Sequence, residues 1–313
     1  MNSKHITNSL KDIVSEHLFP VTKVETVETG KPTLPDETLK LIFVNEQQRK
    51  KVFVLCSSAV SPKLVERGHL RSKEIKAALG EKLGRAVLTP ILAGNTAGLS
   101  YCLFPYCQTL HTNKIAYWLQ RKLLTAGILD WLNQAAAITA SDVTSSSDLQ
   151  DDFITPLSHL SKLPKLPSEI SLSANHALDM LQSKEWKPRY TFTHGDLWVG
   201  NVLLDKSGYL NSKTIFNNMN FVFIDWAGAR LKGHPFNDFI RIARSLSLSK
   251  KQCSKALHDH CQAVGCSREE SQYYLLASFG YMGLNLEHFP TDRFVASATK
   301  CTKYLQAIIQ ISQ

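Results

Sequence analysis

Between Thr191 and Trp226 the chain places four polar residues directly after short apolar stretches, and this segment restricts the possible folds more than any other. The first stretch, TFT, is followed by His194 and Asp196, and Asn201 comes five residues after Asp196. The second stretch, predicted as a strand over residues 220–224, ends in Asp225. Because a strand end holds its side chain rigidly, this spacing predicts a single site at the ends of two successive strands.

The residue types in this segment suit phosphoryl transfer. An acceptor hydroxyl must be oriented and must lose its proton, which is a task for Asp196. A nucleoside triphosphate arrives with a metal ion, and Mg²⁺ prefers hard oxygen ligands such as those of Asn201 and Asp225. Asp and Asn also occur in turns and at helix N-termini. That structural interpretation stays open for each residue taken singly, but it does not account for all three around two strand ends.

The string HGDLWVGN from His194 to Asn201, followed by Ile224, Asp225 and Trp226, resembles the aminoglycoside phosphotransferase and choline kinase superfamily. The resemblance implies an α+β, bilobal, protein-kinase-like fold with a small antiparallel-sheet N-lobe and a larger, mainly helical C-lobe. It also implies that ATP binds at the hinge and that Asn201 and Asp225 bind Mg²⁺. The implied catalytic residues are Asp196, as the base, and His194.

Three further positions carry expectations from the same resemblance. Trp198 is similar to the corresponding residue of the fructosamine kinase branch. Asp238, in GHPFND, matches a family residue that braces the catalytic loop, so we expect a structural role. The stretch YCLFPYC, residues 101–107, matches the strand that runs into the hinge, and this places Tyr106 next to the adenine of the nucleotide.

Hydrophobic periodicity divides the rest of the chain into a strand-rich part and a helical part. The first part comprises predicted strands at 21–27, 39–44, 52–56, 87–92 and 99–104 and a helix at 70–83. The second comprises predicted helices at 113–140 and 172–184 and further helices over most of 236–313. We therefore expect a nucleotide-binding lobe at residues 1–106 and a helical lobe with the acceptor site at 107–313. The serine-rich, acidic stretch 141–152 is expected to be a mobile surface loop.

The predicted N-lobe departs from the family pattern at its phosphate-binding residues. In the strand VFVLC, Cys56 stands where the resemblance implies a lysine, and Glu74 on the next helix matches the glutamate that pairs with that lysine. Lys31, in ETGKPT, is a further candidate for contact with a phosphate. Losing a phosphate ligand slows catalysis, since each 1.36 kcal/mol is about tenfold in rate.

Two functions therefore stay open at the level of sequence. The first is an ATP- and Mg²⁺-dependent kinase for a hydroxyl of a small molecule, such as a sugar, an amino alcohol or a related metabolite. The second is a catalytically impaired, pseudokinase-like protein that binds nucleotide or a partner. Retention of the base and both metal ligands favours the kinase.

The charge balance narrows the range of partners. The chain has 36 Lys and Arg against 27 Asp and Glu, and ten of the basic residues but only four Glu fall within residues 45–90. A polyanion such as ATP accounts for part of this excess, and no nucleic-acid module is recognisable. No apolar run of about 18 residues predicts a membrane span. The polar start of the chain and an odd number of cysteines favour a cytoplasmic protein with reduced thiols, and no feature specifies an oligomeric state.

Overall fold

The structure is a computed structural model that describes residues 3–27, 38–205, 221–287 and 289–311. Its helices are α1 (Ser3–His17), α2 (Leu64–Gly84), α3 (Lys114–Thr139), α4 (Ser146–Leu149), α5 (Thr155–Ser161), α6 (Ser168–Gln182), α7 (Asn237–Ser245), α8 (Lys250–Val264), α9 (Glu270–Leu284) and α10 (Thr291–Ile309). Its strands are β1 (Lys23–Thr26), β2 (Leu39–Asn45), β3 (Lys50–Cys56), β4 (Leu92–Thr96), β5 (Leu99–Pro105), β6 (Gln108–Thr109), β7 (Ser141–Asp142), β8 (Arg189–Thr193), β9 (Val202–Leu204), β10 (Phe221–Phe223) and β11 (Arg230–Gly233).

The N-terminal part is an antiparallel sheet of five strands in the order β1-β2-β3-β5-β4. Alternate side chains along the central strands, including Leu41, Val54 and Leu103, point to one face and are buried there. Helix α1 covers this face with Leu10 and Val14, which are also fully buried. One side of the sheet is therefore closed by α1, and only the other side is open to form a cleft.

The open face of the sheet turns toward the C-terminal part of the chain. Phe104, which follows the buried Leu103 on β5, packs against the same buried cluster as Leu203 of β9 and Ile224 just after β10. Helix α2 borders the same space, because Gly68 lies so close to the main chain of Ala227 that a Cβ there would be 3.5 Å from its nitrogen. The sheet, α2 and the β9–β10 hairpin thus enclose a common cleft.

The C-terminal part is built mainly from helices around a large aromatic core. Trp131, Phe153, Trp186, Tyr190 and Tyr274 are among the largest side chains that are fully buried there. Two small antiparallel sheets are set into the helices, with strand orders β10-β9-β6 and β11-β8-β7. Their strand ends carry the polar motif described above.

The α+β class, with an antiparallel sheet followed by a mainly helical part, is confirmed. The division after residue 106 stays a prediction, since α2 contributes Ile75 and Leu79 to the core of the helical part. The strand expected at 87–92 is wrong. Val87 forms a single bridge with Phe223 and the strand begins only at Leu92, because Pro90 has no N–H for a ladder.

Two further expectations differ from the structure. Helix α1 was not predicted, although Ile6, Leu10 and Val14 recur at every fourth position and are buried. The expected loop at 141–152 is instead β7, α4 and the start of a π-helical turn at 150–154. Its carboxylates pair with β11, Asp152 with Arg230 and Asp148 with Lys232, both at 2.9 Å, and these contacts tie the segment to the sheet. Across the described ranges, no helix has the length and hydropathy to cross a membrane.

Candidate active site

The β9–β10 hairpin brings the two halves of the polar motif together. Val202 and Phe223 are paired in the antiparallel register, so the residues just before β9 and just after β10 lie at the same end of the hairpin. A hydrogen bond of 3.1 Å from the main-chain N–H of Ile224 to the main-chain oxygen of Asn201 extends this pairing. Asp225 is therefore held beside Asn201, although a long stretch of chain separates them.

Asp196 and Asn201 are in direct contact across the turn that joins β8 to β9. The Nδ2 atom of Asn201 donates to the main-chain oxygen of Asp196 at 2.8 Å and to its Oδ2 at 3.2 Å. From α7, Arg241 donates from Nη2 to Oδ1 of the same carboxylate. The Asp196 side chain is nevertheless 45% exposed, so a small molecule can reach it from the cleft.

Asp225 occupies an unusual conformation at the same place. Its φ of 69° and ψ of 61° lie in the left-handed region, which L-residues adopt at an energetic cost. The pKa of Asp225 is raised, first by loss of hydration in the cleft and then by the neighbouring charge of Asp196. The charge of Lys40 acts in the opposite direction. Asp225 is an exposed residue, so its carboxylate can be reached from the cleft.

His194 lies behind these residues and not in the cleft. Its ring is fully buried, with a ring-centroid distance of 4.4 Å to Trp226. The Nε2–H donates to the main-chain oxygen of Ile224 at 2.9 Å, and Nδ1 accepts from the N–H of Asp196 at 3.3 Å. The ring joins the two halves of the motif and has no exposed surface for contact with a substrate.

Asp238 stabilises the turn that carries Asp196. Its buried carboxylate accepts hydrogen bonds from the main-chain N–H groups of His194 at 2.5 Å, Gly195 at 3.1 Å and Leu197 at 3.4 Å. Gly195 has a φ of +83°, and a Cβ on it would lie 2.7 Å from the oxygen of Gly228. The turn therefore requires glycine at this position and a carboxylate behind it.

A small apolar cluster lies at the other end of the cleft. It consists of Leu88, Phe104, Cys107, Leu203, Val222 and Ile224. Tyr106, at the end of β5, is half-buried next to this cluster, and the Nζ of Lys51 lies 5.3 Å from the centroid of its ring. Tyr106 thus lies beside the apolar cluster, and Ile224 of this cluster directly precedes Asp225 of the polar motif.

The remaining expected nucleotide contacts do not come together. Cys56 belongs to the buried face of β3 under α1, so it points away from the cleft and is not in the position of a phosphate-binding lysine. Glu74 is exposed on the surface of α2. Lys31 lies outside the described residues.

Two arginines of the site were not assigned a partner from the sequence. Arg241 contacts Asp196, and it follows Asp238 on the same helix by three residues, a spacing that places both on one face. Arg71 of α2 donates from Nη1 to the main-chain oxygen of Ala227 at 2.5 Å. No sequence pattern indicated the second contact, since it depends on how α2 packs.

Comparison with known proteins establishes the fold. No protein-family model matches the sequence, and no curated protein matches it either. Among solved structures, a choline/ethanolamine kinase family protein from Mesorhizobium loti superposes with a TM-score of 0.52 at 13% identity, over 98% of this chain and 95% of that one. The chain therefore shares the fold of this kinase family protein, which confirms the α+β, protein-kinase-like fold expected from the motif.

Two other solved structures are similar over nearly the whole chain. An ethanolamine kinase of Plasmodium vivax has a TM-score of 0.49 at 12% identity, over 97% of this chain and 89% of that one. A spectinomycin phosphotransferase, solved with ADP and spectinomycin, has a TM-score of 0.48 at 13% identity, over 97% of both chains.

Proposed function

We propose that this protein is a kinase that transfers a phosphoryl group from ATP to a hydroxyl of a small molecule. The observation that carries the proposal is the hydrogen bond between Asn201 and Asp196, together with the strand pairing that brings Asp225 to the same end of the β9–β10 hairpin. Phosphoryl transfer needs a base for the acceptor hydroxyl and hard oxygen ligands for a metal ion. The turn before β9 and the end of β10 together supply both.

The residues at the polar end of the cleft fit a magnesium ion. The Nδ2 atom of Asn201 is committed to Asp196, which leaves its Oδ1 as the oxygen ligand. Asp225 is an exposed residue at the same end of the β9–β10 hairpin, so a cation can reach its carboxylate. Mg²⁺ held by Asn201 and Asp225 would neutralise charge on the phosphates of ATP.

The apolar end of the cleft suits the adenine of ATP. Leu203 and Ile224 present apolar side chains from below, and Phe104 covers them from the sheet. The chain around Tyr106, at the end of β5, offers main-chain groups for hydrogen bonds to the purine edge. With adenine there, the triphosphate runs toward Asp225.

Asp196 is the proposed base for the acceptor hydroxyl. Asn201 and Arg241 fix the two oxygens of its carboxylate, so a hydroxyl approaching from the cleft meets an oriented acceptor. Trp198 lies two residues further on, with its ring against Gly200 and 45% of its surface exposed. It supplies a flat apolar wall for an acceptor such as a sugar, an amino alcohol or a related metabolite.

The proposal is tested by metal-dependent ADP release with a panel of sugars, amino alcohols and related hydroxyl compounds. Asp196→Asn should lower kcat by about 10²- to 10⁴-fold, the usual contribution of a general base, and retain ATP binding. Asp259→Asn, which removes a carboxylate from the exposed surface of α8, is the matched control and should retain full activity. ATP binding without turnover of any acceptor would instead support the pseudokinase alternative, and failure to bind ATP would contradict both.

A further inference from the structure

The open face of the N-terminal sheet carries a lysine from β2. Along β2, Leu41 and Phe43 are buried beneath α1, so Lys40 and Ile42 point to the opposite face, into the cleft. The register places Lys40 directly across from Leu55 of β3, and Leu55 across from Cys102 of β5. These three side chains form one row over the cleft.

The ammonium group of Lys40 is available for a ligand. The side chain is half-buried, and within the ranges that the structure describes it has no hydrogen bond or ion pair. The pairing with Leu55 places Lys40 at the opposite end of β3 from Lys51, which contacts Tyr106. Lys40 therefore lies toward the end of the cleft that is remote from Tyr106.

The other lysines on this face are committed elsewhere. Lys23 of β1 pairs with Glu25 at 2.8 Å. Lys51 is on the cleft face of β3 but contacts the ring of Tyr106. It lies four residues before Leu55, which is about 13 Å along an extended strand. Lys51 thus belongs to the adenine end of the cleft, and Lys40 to the phosphate end.

We propose that Lys40 binds the α- and β-phosphates of ATP. It would take the place of the phosphate-binding lysine that the family resemblance implies near the end of β3. The proposal rests on the proposed function, because it presupposes a nucleotide in the cleft. The ammonium group of Lys40 on the neighbouring strand β2 lies in the same row of side chains, since Lys40 and Leu55 are cross-strand neighbours. Leu55 on β3 therefore does not mean that a phosphate ligand is missing, because the ligand is supplied from β2 by Lys40.

The test compares the binding of Mg-ATP and of adenosine by titration calorimetry. Lys40→Met should weaken ATP binding by about 10- to 100-fold, the worth of one hydrogen bond to a charged group. Adenosine has no phosphate, so its affinity should be unchanged, which also shows that the variant is folded. Lys50→Met is the matched control, because it removes the same charge from an exposed neighbouring position and should bind ATP normally.

A second variant tests the position of the charge. In Lys40→Met/Leu55→Lys the cation returns to β3, directly across from its original place, and ATP binding should recover by about tenfold or more over the single variant. Equal ATP affinity in wild type and Lys40→Met would overturn the assignment of Lys40 while the proposed function stands. A parallel loss of adenosine binding would also overturn it. Failure of the wild type to bind ATP would overturn the proposed function itself.

Discussion

Arg241 donates a hydrogen bond from Nη2 to Oδ1 of Asp196, while Asn201 donates to the other oxygen of that carboxylate. The orientation of the proposed base, Asp196, is thus set jointly by the turn between β8 and β9 and by α7. The Arg241 side chain is 26% exposed and that of Asp196 is 45% exposed. Because water screens an ion pair of this kind, it adds little to the stability of the fold, and its effect should lie in the reaction.

Replacement of Arg241 by Met should therefore slow turnover without unfolding the protein. We expect kcat to fall by about 10- to 100-fold, because a freely rotating carboxylate spends less time aimed at the acceptor hydroxyl. The KM for ATP should change little. Steady-state kinetics and a thermal melt together check this, with Arg293→Met on the exposed face of α10 as the matched control. A large fall in Tm with unchanged kcat would show that the pair is structural.

Gly195 should tolerate no side chain. Gly195→Ala would place a Cβ 2.7 Å from the main-chain oxygen of Gly228 in addition to the strain of a positive φ. Gly98, in the β4–β5 turn, is the matched control, because its φ is +78° and a Cβ there would have no neighbour within 4 Å. Gly98→Ala should cost about 1–2 kcal/mol of unfolding free energy, and Gly195→Ala more than that, with loss of activity. Urea denaturation measures both, and equal costs would contradict the proposed close packing.

Much of the fold and the centre of the site could be predicted because both depend on local spacing. The interval from Asp196 to Asn201 is short enough for a turn to bring the side chains together, and an apolar strand before Asp225 fixes its position. The alternation of apolar residues likewise predicts β2, β3 and β5. None of these features needs knowledge of distant parts of the chain.

The side chains that the sheet presents to the cleft could not be predicted, because they depend on which face of the sheet is covered. Cys56 and Leu55 are adjacent on β3, and the sequence does not say which one points to the cleft. Helix α1 decides it, since its Leu10 and Val14 bury the face that carries Cys56. With α1 not predicted, Cys56 was expected on the cleft side of β3, although it lies on the covered face, and Lys40 of the neighbouring strand β2 was not considered.

Asp238 should stabilise the turn between β8 and β9 by accepting hydrogen bonds from three main-chain N–H groups. Asp238→Asn replaces one acceptor oxygen by an NH₂ group that faces these donors, so at least one hydrogen bond to a charged acceptor is lost. We expect the free energy of unfolding to fall by about 3 kcal/mol, together with most of the activity. Asp142→Asn removes an exposed carboxylate paired with Arg189 and should cost less than about 1 kcal/mol. Similar costs for both variants in urea denaturation would contradict the bracing role.

His260 should make the protein lose stability as the pH falls. Its ring is buried, stacks on Phe239 at 5.0 Å and bonds to Asn133 at 2.8 Å, and burial lowers its pKa to about 3. Below the ordinary value near 6.5, the unfolded chain takes up a proton that the folded protein excludes. Acidification therefore favours unfolding, by up to 1.36 kcal/mol for each pH unit between about 6.5 and 3.

Substitution of His260 by Asn checks this origin of the pH dependence. The amide group can still donate to Asn133 but cannot titrate, so the unfolding free energy should depend less steeply on pH between 6.5 and 4.5. His234 is also buried, with its pKa lowered to about 4, and it remains in the variant. The slope should consequently be reduced and not abolished. Urea denaturation at several pH values measures it, and an unchanged slope in His260→Asn would exclude His260 as a source of the acid sensitivity.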